Sequence, residues 1–432
     1  MHILQILIFL LIYLVSTSEC FVPKKILTYV IEKVDKNIQY SLGYASESIV
    51  HEDIIKRGLT RSIARYFAEQ PNPKNKIDLS KLDNEYLDVK NIYRDYYGIY
   101  YCKLDITNII SDEFQPEVAS VDFDDETKDL PSAHFDAEQF KESNDRVINY
   151  MSIIEGFLSI KDYRRARKFS GKILHTIHDF YSHSNWVEMG NTDRINTEIG
   201  TTNFNNLKVV DKNERNTCDN NCTLYEIKCN TILNALVNLI QTIGIRTSFI
   251  NCPLKYYRCK RNLVILDQLV SGFYAGQDAV KPDGMMKCSH GGILDGDSFK
   301  PAEGGINKDS GYYVFSPHAE LHLTAANLAI NHTEYFFEQM RTRIGNEEYA
   351  KFLNLKVSSS IINTINNYIE ICGAISNLKS KFLSKFDQNT QLIRMAKFGD
   401  QKAEKMNTFK INWCNNVQCK ETWSEKCQRI NL

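Results

Sequence analysis

The chain has 432 residues, of which 43% are hydrophobic and 24% charged, a composition typical of globular proteins with one or more domains. Lys and Arg total 52 and Asp and Glu total 53, so the formal net charge is -1. This balance argues against bulk nucleic-acid binding and against a basic membrane-binding patch, although a single nucleotide can still be a substrate.

The N-terminal segment predicts export from the cell. Residues 3–15 are almost all apolar, and small residues follow them up to Cys20. This apolar run is too short to span a bilayer comfortably and is typical of a secretory signal peptide. We therefore expect residues 1–20 to be a signal peptide, the mature chain to begin at Phe21, and the protein to be secreted and extracellular. An uncleaved signal anchor is the alternative.

The next part of the chain predicts helices around one acidic loop. Residues 46–70 read as a helix that contains His51, and residues 80–112 as further helical pieces rich in tyrosine. Residues 113–133 are acidic and polar and carry two prolines, so they predict a long loop that contains Asp122.

Residues 137–186 predict one or two long helices with a break near residues 156–162. Within them His175, Asp179 and His183 follow one another at intervals of four residues, so a helix places all three within an arc of about 80°. Apolar residues occupy the opposite side of this helix. Imidazole and carboxylate groups on one side of a helix are the ligand types of catalytic zinc. A hydrogen-bonded His–Asp pair without metal is the plainer explanation.

The region after this helix is predicted to be irregular. Residues 190–228 are rich in Asn and Thr, and residues 283–313 form a glycine-rich loop. Residues 231–245 are apolar but short and interrupted by polar residues, so they predict an amphipathic helix and no membrane span. His290 lies in the glycine-rich loop, where a structural role is as consistent as a functional one.

The cysteines agree with export. The chain has 12, of which six lie within residues 218–288 and three within residues 414–427. Close spacing outside the cell favours disulfides over zinc fingers. Without Cys20 an odd number remains, so one cysteine is free or pairs with another chain, and the pairing cannot be read from sequence. Asn221 and Asn331 lie in glycosylation patterns, which predicts a glycoprotein.

A last predicted helix begins at Ser316 and Pro317, because Ser is a good N-cap and Pro fits the first helical position. His318 and His322 lie one turn apart on this helix and share a stripe with apolar residues, so they point inward. Two histidines at this spacing can bind one zinc ion, but an inward histidine is also often a satisfied core residue.

Together the elements predict a mainly α-helical fold with few strands. We expect a helical metal-binding domain over residues 21–345 and a C-terminal extension over residues 346–432 that is helical and ends in a cysteine-containing tail. Burying several imidazoles and carboxylates without a cation is costly, so the histidine and aspartate groups taken together predict a metal site.

Five sequence blocks resemble the Het-C-like family that contains von Willebrand factor A domain-containing protein seven. The blocks follow the same order as in that family across roughly residues 45–355. They are HFDAE at 134–138, LHTIHDFYSHSNWVE at 174–188, KCSHGG at 287–292, GGINKDS at 304–310 and FSPHAELH at 315–322. The sequence after Leu355 lacks the Asp-x-Ser-x-Ser-like motif of the family's von Willebrand A domain. We therefore expect that domain to be missing.

More distantly, the pattern resembles zinc-dependent phospholipase C and the fungal single-strand nucleases, helical proteins whose three-zinc site cleaves phosphate esters. This resemblance implies the same multi-helix fold and between one and three zinc ions. Carried onto matching positions, the ligands it implies are His51, Asp122, His134, His175, Asp179, His183, His318 and His322. The chain departs from that pattern in three places: Phe21 replaces the N-terminal Trp, the interval from Asp179 to His183 is shorter, and His322 stands where an acid is usual.

Two functional hypotheses follow from these implications. In the first, the protein is an exported phosphodiesterase whose substrate is a phospholipid or a nucleotide. Zinc would hold the phosphate and lower the pKa of a bound water, which Asp122 would orient or deprotonate. In the second, it is a non-enzymatic extracellular protein whose zinc joins the helices and whose loops contact a protein partner. We favour a zinc-binding protein without established catalysis.

Overall fold

The computed structural model describes residues 36–82, 88–98, 104–228 and 253–357. The described chain is mainly α-helical with one two-stranded sheet, which confirms the predicted fold class. The likeness to phospholipase C stays a prediction. The chain divides into two compact units, one of residues 1–62 and 109–352 and the other of residues 63–108 and 353–432. The predicted domain boundaries stay a prediction, because most of the extension lies outside the described residues.

The helices and strands have the following bounds. The α-helices are α1 Lys36–Ser41, α2 His51–Glu69, α3 Val89–Tyr97, α4 Asp105–Ile109, α5 Gln115–Ser120, α6 Pro131–His134, α7 Phe140–Ser159, α8 Tyr163–His183 and α9 His322–Phe352. The strands are β1 Cys222–Ile227 and β2 Leu254–Cys259. Short 3-10 turns span Leu79–Lys81, Thr202–Asn206, Gly296–Phe299 and Ala319–Leu321, and a π turn spans Ile110–Phe114.

The unit built from residues 63–108 and 353–432 has an aromatic core. The rings of Phe67 and Tyr93 pack edge to face with centroids 4.9 Å apart. The hydroxyl of Tyr93 donates to the carbonyl of Leu355 at 2.9 Å, so this buried tyrosine is also satisfied as a donor.

In the other unit, α8 is the central helix and packs against α5, α6, α7 and α9. The predicted break between α7 and α8 is confirmed: the chain turns through Lys161, which has a positive φ of 60°, and the side chain of Asp162 caps α8 by accepting from the amide of Arg165. All residues from Ile173 to His183 are buried, as expected for a helix surrounded by others.

The prediction of a long loop over residues 113–133 is wrong in part, because this stretch contains the end of the π turn, α5 and the start of α6. Pro116 lies in the first turn of α5 and Pro131 begins α6. The prediction treated these prolines as loop signals, whereas proline is also favoured where a helix begins. Asp122 lies in the turn that follows α5.

Strands β1 and β2 pair antiparallel, with Cys222 opposite Cys259. These two cysteines form one disulfide, and Cys218 and Cys288 form another, so the prediction of disulfides in this region is confirmed. The remaining cysteines of the region, those of the C-terminal tail and the predicted amphipathic helix at 231–245 lie outside the described residues.

Helix α9 begins later than predicted. A 3-10 turn at Ala319–Leu321 follows Pro317, and the α-helix starts at His322. The hydroxyl of Ser316 accepts from the amide of Ser310, a loop residue, and does not cap the helix. Helix α9 kinks at Gly345, whose φ is 80°. Across the described ranges, no helix is both long and apolar enough to cross a membrane.

The burial of His332, which is hydrogen-bonded between α8 and α9, makes the stability of the protein sensitive to acid. The hydroxyl of Tyr181 accepts from the amide of Asn196 at 3.0 Å, so it donates to Nδ1 of His332 at 2.7 Å. Burial lowers the pKa of His332 to about 3. Because the folded protein excludes a proton that the unfolded chain takes up near pH 6.5, stability is lost as the pH falls from about 6.5 towards 3.

We expect His332→Asn to remove this component of acid sensitivity, because the Asn side chain can accept from Tyr181 and does not titrate. Between pH 7 and pH 5 the histidine costs about 2 kcal/mol, so wild type should lose about that much more stability than the variant. Urea unfolding in EDTA at both pH values measures this difference. Tyr181→Phe, which leaves the histidine buried, should keep the wild-type slope; equal slopes for wild type and His332→Asn would contradict the prediction.

Candidate metal centre

Five buried side chains from separate parts of the chain meet beside α8. We call them the first cluster: His51 at the start of α2, Asp122 after α5, His134 at the end of α6, and His175 and Asp179 on α8. None is more than 4% exposed. The structure therefore brings together five of the eight ligands that the sequence predicted.

Asp179 lies at the centre of the first cluster. Its Oδ2 lies 3.0 Å from Nδ1 of His134 and 3.0 Å from Nε2 of His175. Its Oδ1 lies 3.2 Å from Nε2 of His51 but makes no hydrogen bond within the described residues. Asp122 adds a second carboxylate, with Oδ1 3.4 Å from Nε2 of His175. The carboxylate of Asp179 thus faces imidazoles on two sides.

Backbone carbonyls orient two of these imidazoles. Nδ1 of His175 donates to the carbonyl of Val118 at 2.7 Å, and Nε2 of His134 donates to the carbonyl of Thr127 at 3.2 Å. In a neutral imidazole the other nitrogen then carries a lone pair. Those two nitrogens lie 3.1 Å apart and both face Asp179. Histidines that bind metals typically donate their second ring N–H in this way.

A chain of hydrogen bonds orients the third imidazole. The hydroxyl of Thr333 donates to the carbonyl of Ala329 at 2.9 Å, so it accepts from Nε2 of His178 at 2.8 Å. Nδ1 of His178 is therefore an acceptor, and it receives the Nδ1–H of His51 at 3.0 Å. Nε2 of His51 then faces Oδ1 of Asp179 at 3.2 Å.

The charges in the first cluster call for a cation. Burial lowers the pKa of His134 and of His175, so both imidazoles are neutral near pH 7. Burial alone would raise the pKa of Asp179, but the surrounding imidazoles hold it well below its usual value, so the carboxylate is ionised. Lone pairs and carboxylate oxygens then converge in a buried space, an arrangement that is costly unless a cation lies among them. The residues present fit a metal ion.

His183 lies on α8 but faces a different group. Its Nδ1 donates to the carbonyl of His134 at 2.8 Å, and its Nε2 lies 3.0 Å from Oδ1 of Asp309. Nε2 of His290 lies 3.2 Å from the same nitrogen, and Oδ1 of Asp136 lies 3.2 Å from Nδ1 of His183. We call Asp136, His183, His290 and Asp309 the second cluster.

The sequence only partly anticipated the second cluster. It left the role of His290 open, and it contained Asp136 and Asp309 only as members of blocks of the family resemblance. The available signal was the glycine-rich loop, which carries both His290 and Asp309 within blocks of the family resemblance, but a loop has no periodicity from which to infer contacts.

His318 and His322 join neither cluster of described residues, so their role as metal ligands stays a prediction. Nδ1 of His322 donates to the carbonyl of Lys308 at 2.6 Å, and its Nε2 accepts from the amide of Ile49 at 2.8 Å. His318 bonds through Nε2 to the side chain of Asn262 at 2.9 Å. Both histidines are buried as predicted, but their hydrogen bonds fix loops and do not converge on a cation.

Fold and site together define a mainly helical, disulfide-containing protein with a buried imidazole–carboxylate centre suited to a divalent cation. The profile of the family described as VWA7 N-terminal domain matches residues 88–255 and 246–350. The chain therefore belongs to this family.

Curated relatives agree with this assignment. Over 323 residues the chain is 29% identical to von Willebrand factor A domain-containing protein 7 of Homo sapiens and of Rattus norvegicus, and 28% identical to that of Mus musculus. Each match covers 74% of this chain but 32% of the relative, so the chain corresponds to less than half the length of these relatives. No solved structure matches the chain significantly.

Proposed function

We propose that this chain is a secreted zinc-binding protein whose first cluster holds zinc and thereby joins α2, α6 and α8. One observation carries the proposal: Asp179, ionised and fully buried, lies within 3.2 Å of a ring nitrogen of His51 on one side and of His134 and His175 on the other. Imidazole combined with carboxylate favours zinc over calcium or magnesium, which prefer oxygen ligands. The two disulfides and the predicted signal peptide support an extracellular location.

The two oxygens of Asp179 would serve two ions. The groups that would hold the first ion are Oδ2 of Asp179, Nδ1 of His134, Nε2 of His175 and Oδ1 of Asp122. Oδ1 of Asp179 and Nε2 of His51 would hold the second. All of these ligands are almost completely buried, and structural zinc sites are closed whereas catalytic ones keep an open position. Burial therefore favours a structural role over catalysis.

Hydrolysis of phosphate esters is the second candidate function. It is favoured by the imidazoles beside both oxygens of Asp179, because this carboxylate could help to hold two ions, and two-metal sites cleave phosphodiesters. When bound there, zinc would supply a Lewis acid and an acidified water. Asp122 is the residue that would orient or deprotonate that water, and the substrate would be a phospholipid or a nucleotide.

Zinc content and turnover together test both functions. We expect purified wild type to retain zinc after dialysis, measured by mass spectrometry of the metal, and to hydrolyse bis(p-nitrophenyl) phosphate no faster than His175→Ala. Asp125→Asn, a change in an exposed carboxylate near Asp122, serves as the control. Turnover that Asp122→Asn abolishes while zinc is retained would establish the hydrolase instead. Wild type without zinc would contradict both functions.

A further inference from the structure

The second cluster places two carboxylates and two imidazoles in the interior. Asp136 and His183 are 0% exposed, His290 4% and Asp309 5%. Nε2 of His290 lies 3.2 Å from Oδ2 of Asp309, and Nε2 of His183 lies 3.0 Å from its Oδ1. The four side chains come from the turn after α6, from the end of α8 and from two points of the glycine-rich loop.

One carboxylate oxygen of the second cluster has no donor among the described residues. Oδ2 of Asp136 accepts from the side-chain amide of Gln277 at 2.7 Å. Oδ1 of Asp136 makes no hydrogen bond in the described ranges and lies 3.2 Å from Nδ1 of His183. That N–H already donates to the carbonyl of His134 at 2.8 Å. A fully buried carboxylate oxygen without a donor costs free energy unless a cation or water satisfies it.

Lys308, which lies next to Asp309 in the chain, does not neutralise the carboxylates of the second cluster. Nζ of Lys308 donates to Oε1 of Glu188 at 2.9 Å and to the carbonyl of Ile306 at 2.8 Å. Nε2 of His183 and Oδ1 of Asp309 are hydrogen-bonded at 3.0 Å. The acceptor of the second cluster that has no donor in the described ranges is therefore Oδ1 of Asp136.

The loop that carries His290 is held firmly. Cys288, two residues earlier, is joined to Cys218 by a disulfide. The side chain of Asn307 donates to the carbonyl of Gly291 at 2.9 Å. Gly292 has a φ of 92°, and a Cβ there would lie 2.0 Å from the carbonyl of Phe315, so only glycine fits. A ligand on a fixed loop is pre-organised for its ion.

We propose that Asp136, His183, His290 and Asp309 form a second zinc site, distinct from the one in the first cluster. Two imidazoles and two carboxylates make a four-ligand donor set that zinc accepts, and a dication balances the two buried negative charges. The proposal goes beyond the zinc binding inferred for the first cluster and does not require it. His134 and Asp136 are two residues apart, and Asp179 and His183 one helical turn, so the two sites share their supporting backbone.

The experiment counts zinc ions in variants of each cluster. Metal-stripped full-length protein is dialysed to equilibrium against zinc, and bound zinc per chain is measured by mass spectrometry of the metal. We expect His290→Gln and Asp309→Asn each to bind one zinc fewer than wild type, while Asp179→Asn loses the other ions and retains this one. Asp267→Asn, an exposed carboxylate, should match wild type. Two ligands are tested separately in case one variant fails to fold. Thermal unfolding of each variant in EDTA shows whether it is folded without metal.

Cobalt gives a second readout, because a four-coordinate Co²⁺ site absorbs visible light. The Asp179→Asn variant loaded with Co²⁺ should keep a visible absorption band. The double variant Asp179→Asn, His290→Gln should lack that band. If the second-cluster variants bind as much metal as wild type, the proposal fails and His290 is an ion-pair partner of Asp309. If they lose one ion whereas Asp179→Asn loses none, the second site stands and zinc binding by the first cluster fails.

Discussion

Asp179→Asn is expected to abolish the stabilisation of the protein by zinc at the first cluster. At a free zinc concentration 100 times the dissociation constant, binding adds about 2.7 kcal/mol to the free energy of unfolding. This raises the midpoint of thermal unfolding by roughly 5–10 °C for a unit of this size. The variant removes the charge that faces three imidazoles and keeps the size of the side chain, so the loss reports on the charge alone.

The same variant should behave differently in EDTA. Without metal, the wild-type carboxylate faces imidazole lone pairs, whereas the amide group that replaces it in Asp179→Asn can donate to one of them. We therefore expect the metal-free variant to melt at or above the temperature of metal-free wild type. Differential scanning calorimetry with EDTA and with zinc measures both effects, and Asp145→Asn, an exposed change on α7, is the control. An unchanged zinc shift in Asp179→Asn would show that this carboxylate is not a ligand.

The helical part of the metal centre could be predicted from the sequence because it depends on spacing. His175 and Asp179 lie four residues apart, and a helix must place them on one side. The break between α7 and α8 was also predicted, although Gly156 lies inside α7 and the chain turns at Lys161, just before Asp162 caps α8. In contrast, spacing alone could not reveal that His322 meets loop backbone and His318 the side chain of Asn262, since an inward direction does not say which groups a side chain will meet.

The contacts between distant segments could not be derived from local patterns. His51 and His178 are 127 residues apart, yet their hydrogen bond decides which nitrogen of His51 faces Asp179. His134 and Asp122 entered the predicted ligand set through the family resemblance. Asp309 was not among the predicted ligands, because it lies in the glycine-rich loop, which has neither helical nor strand periodicity. Tertiary contacts, and not propensity, determine both the tautomers and the second cluster.

Lys308→Met is expected to destabilise the protein by about 3–5 kcal/mol, because it leaves the carboxylate of Glu188 buried without its cation. Lys308 is fully buried, and its Nζ lies 2.9 Å from Oε1 of Glu188. Oε2 of Glu188 makes no hydrogen bond within the described residues, so it offers no substitute for the lost ion pair. The midpoint of thermal unfolding should fall by roughly 10 °C. Lys351→Met, which breaks only exposed ion pairs, should cost less than about 1 kcal/mol.

The double variant Lys308→Met, Glu188→Gln separates charge from packing. Removing both charges should recover most of the stability that the single lysine variant loses, because replacing a buried ion pair by neutral groups is often nearly neutral. Urea unfolding of wild type, both single variants and the double variant gives the coupling free energy between the two residues. Equal losses in Lys308→Met and in the double variant would show that the lysine acts through the packing of its aliphatic stem and not through its charge.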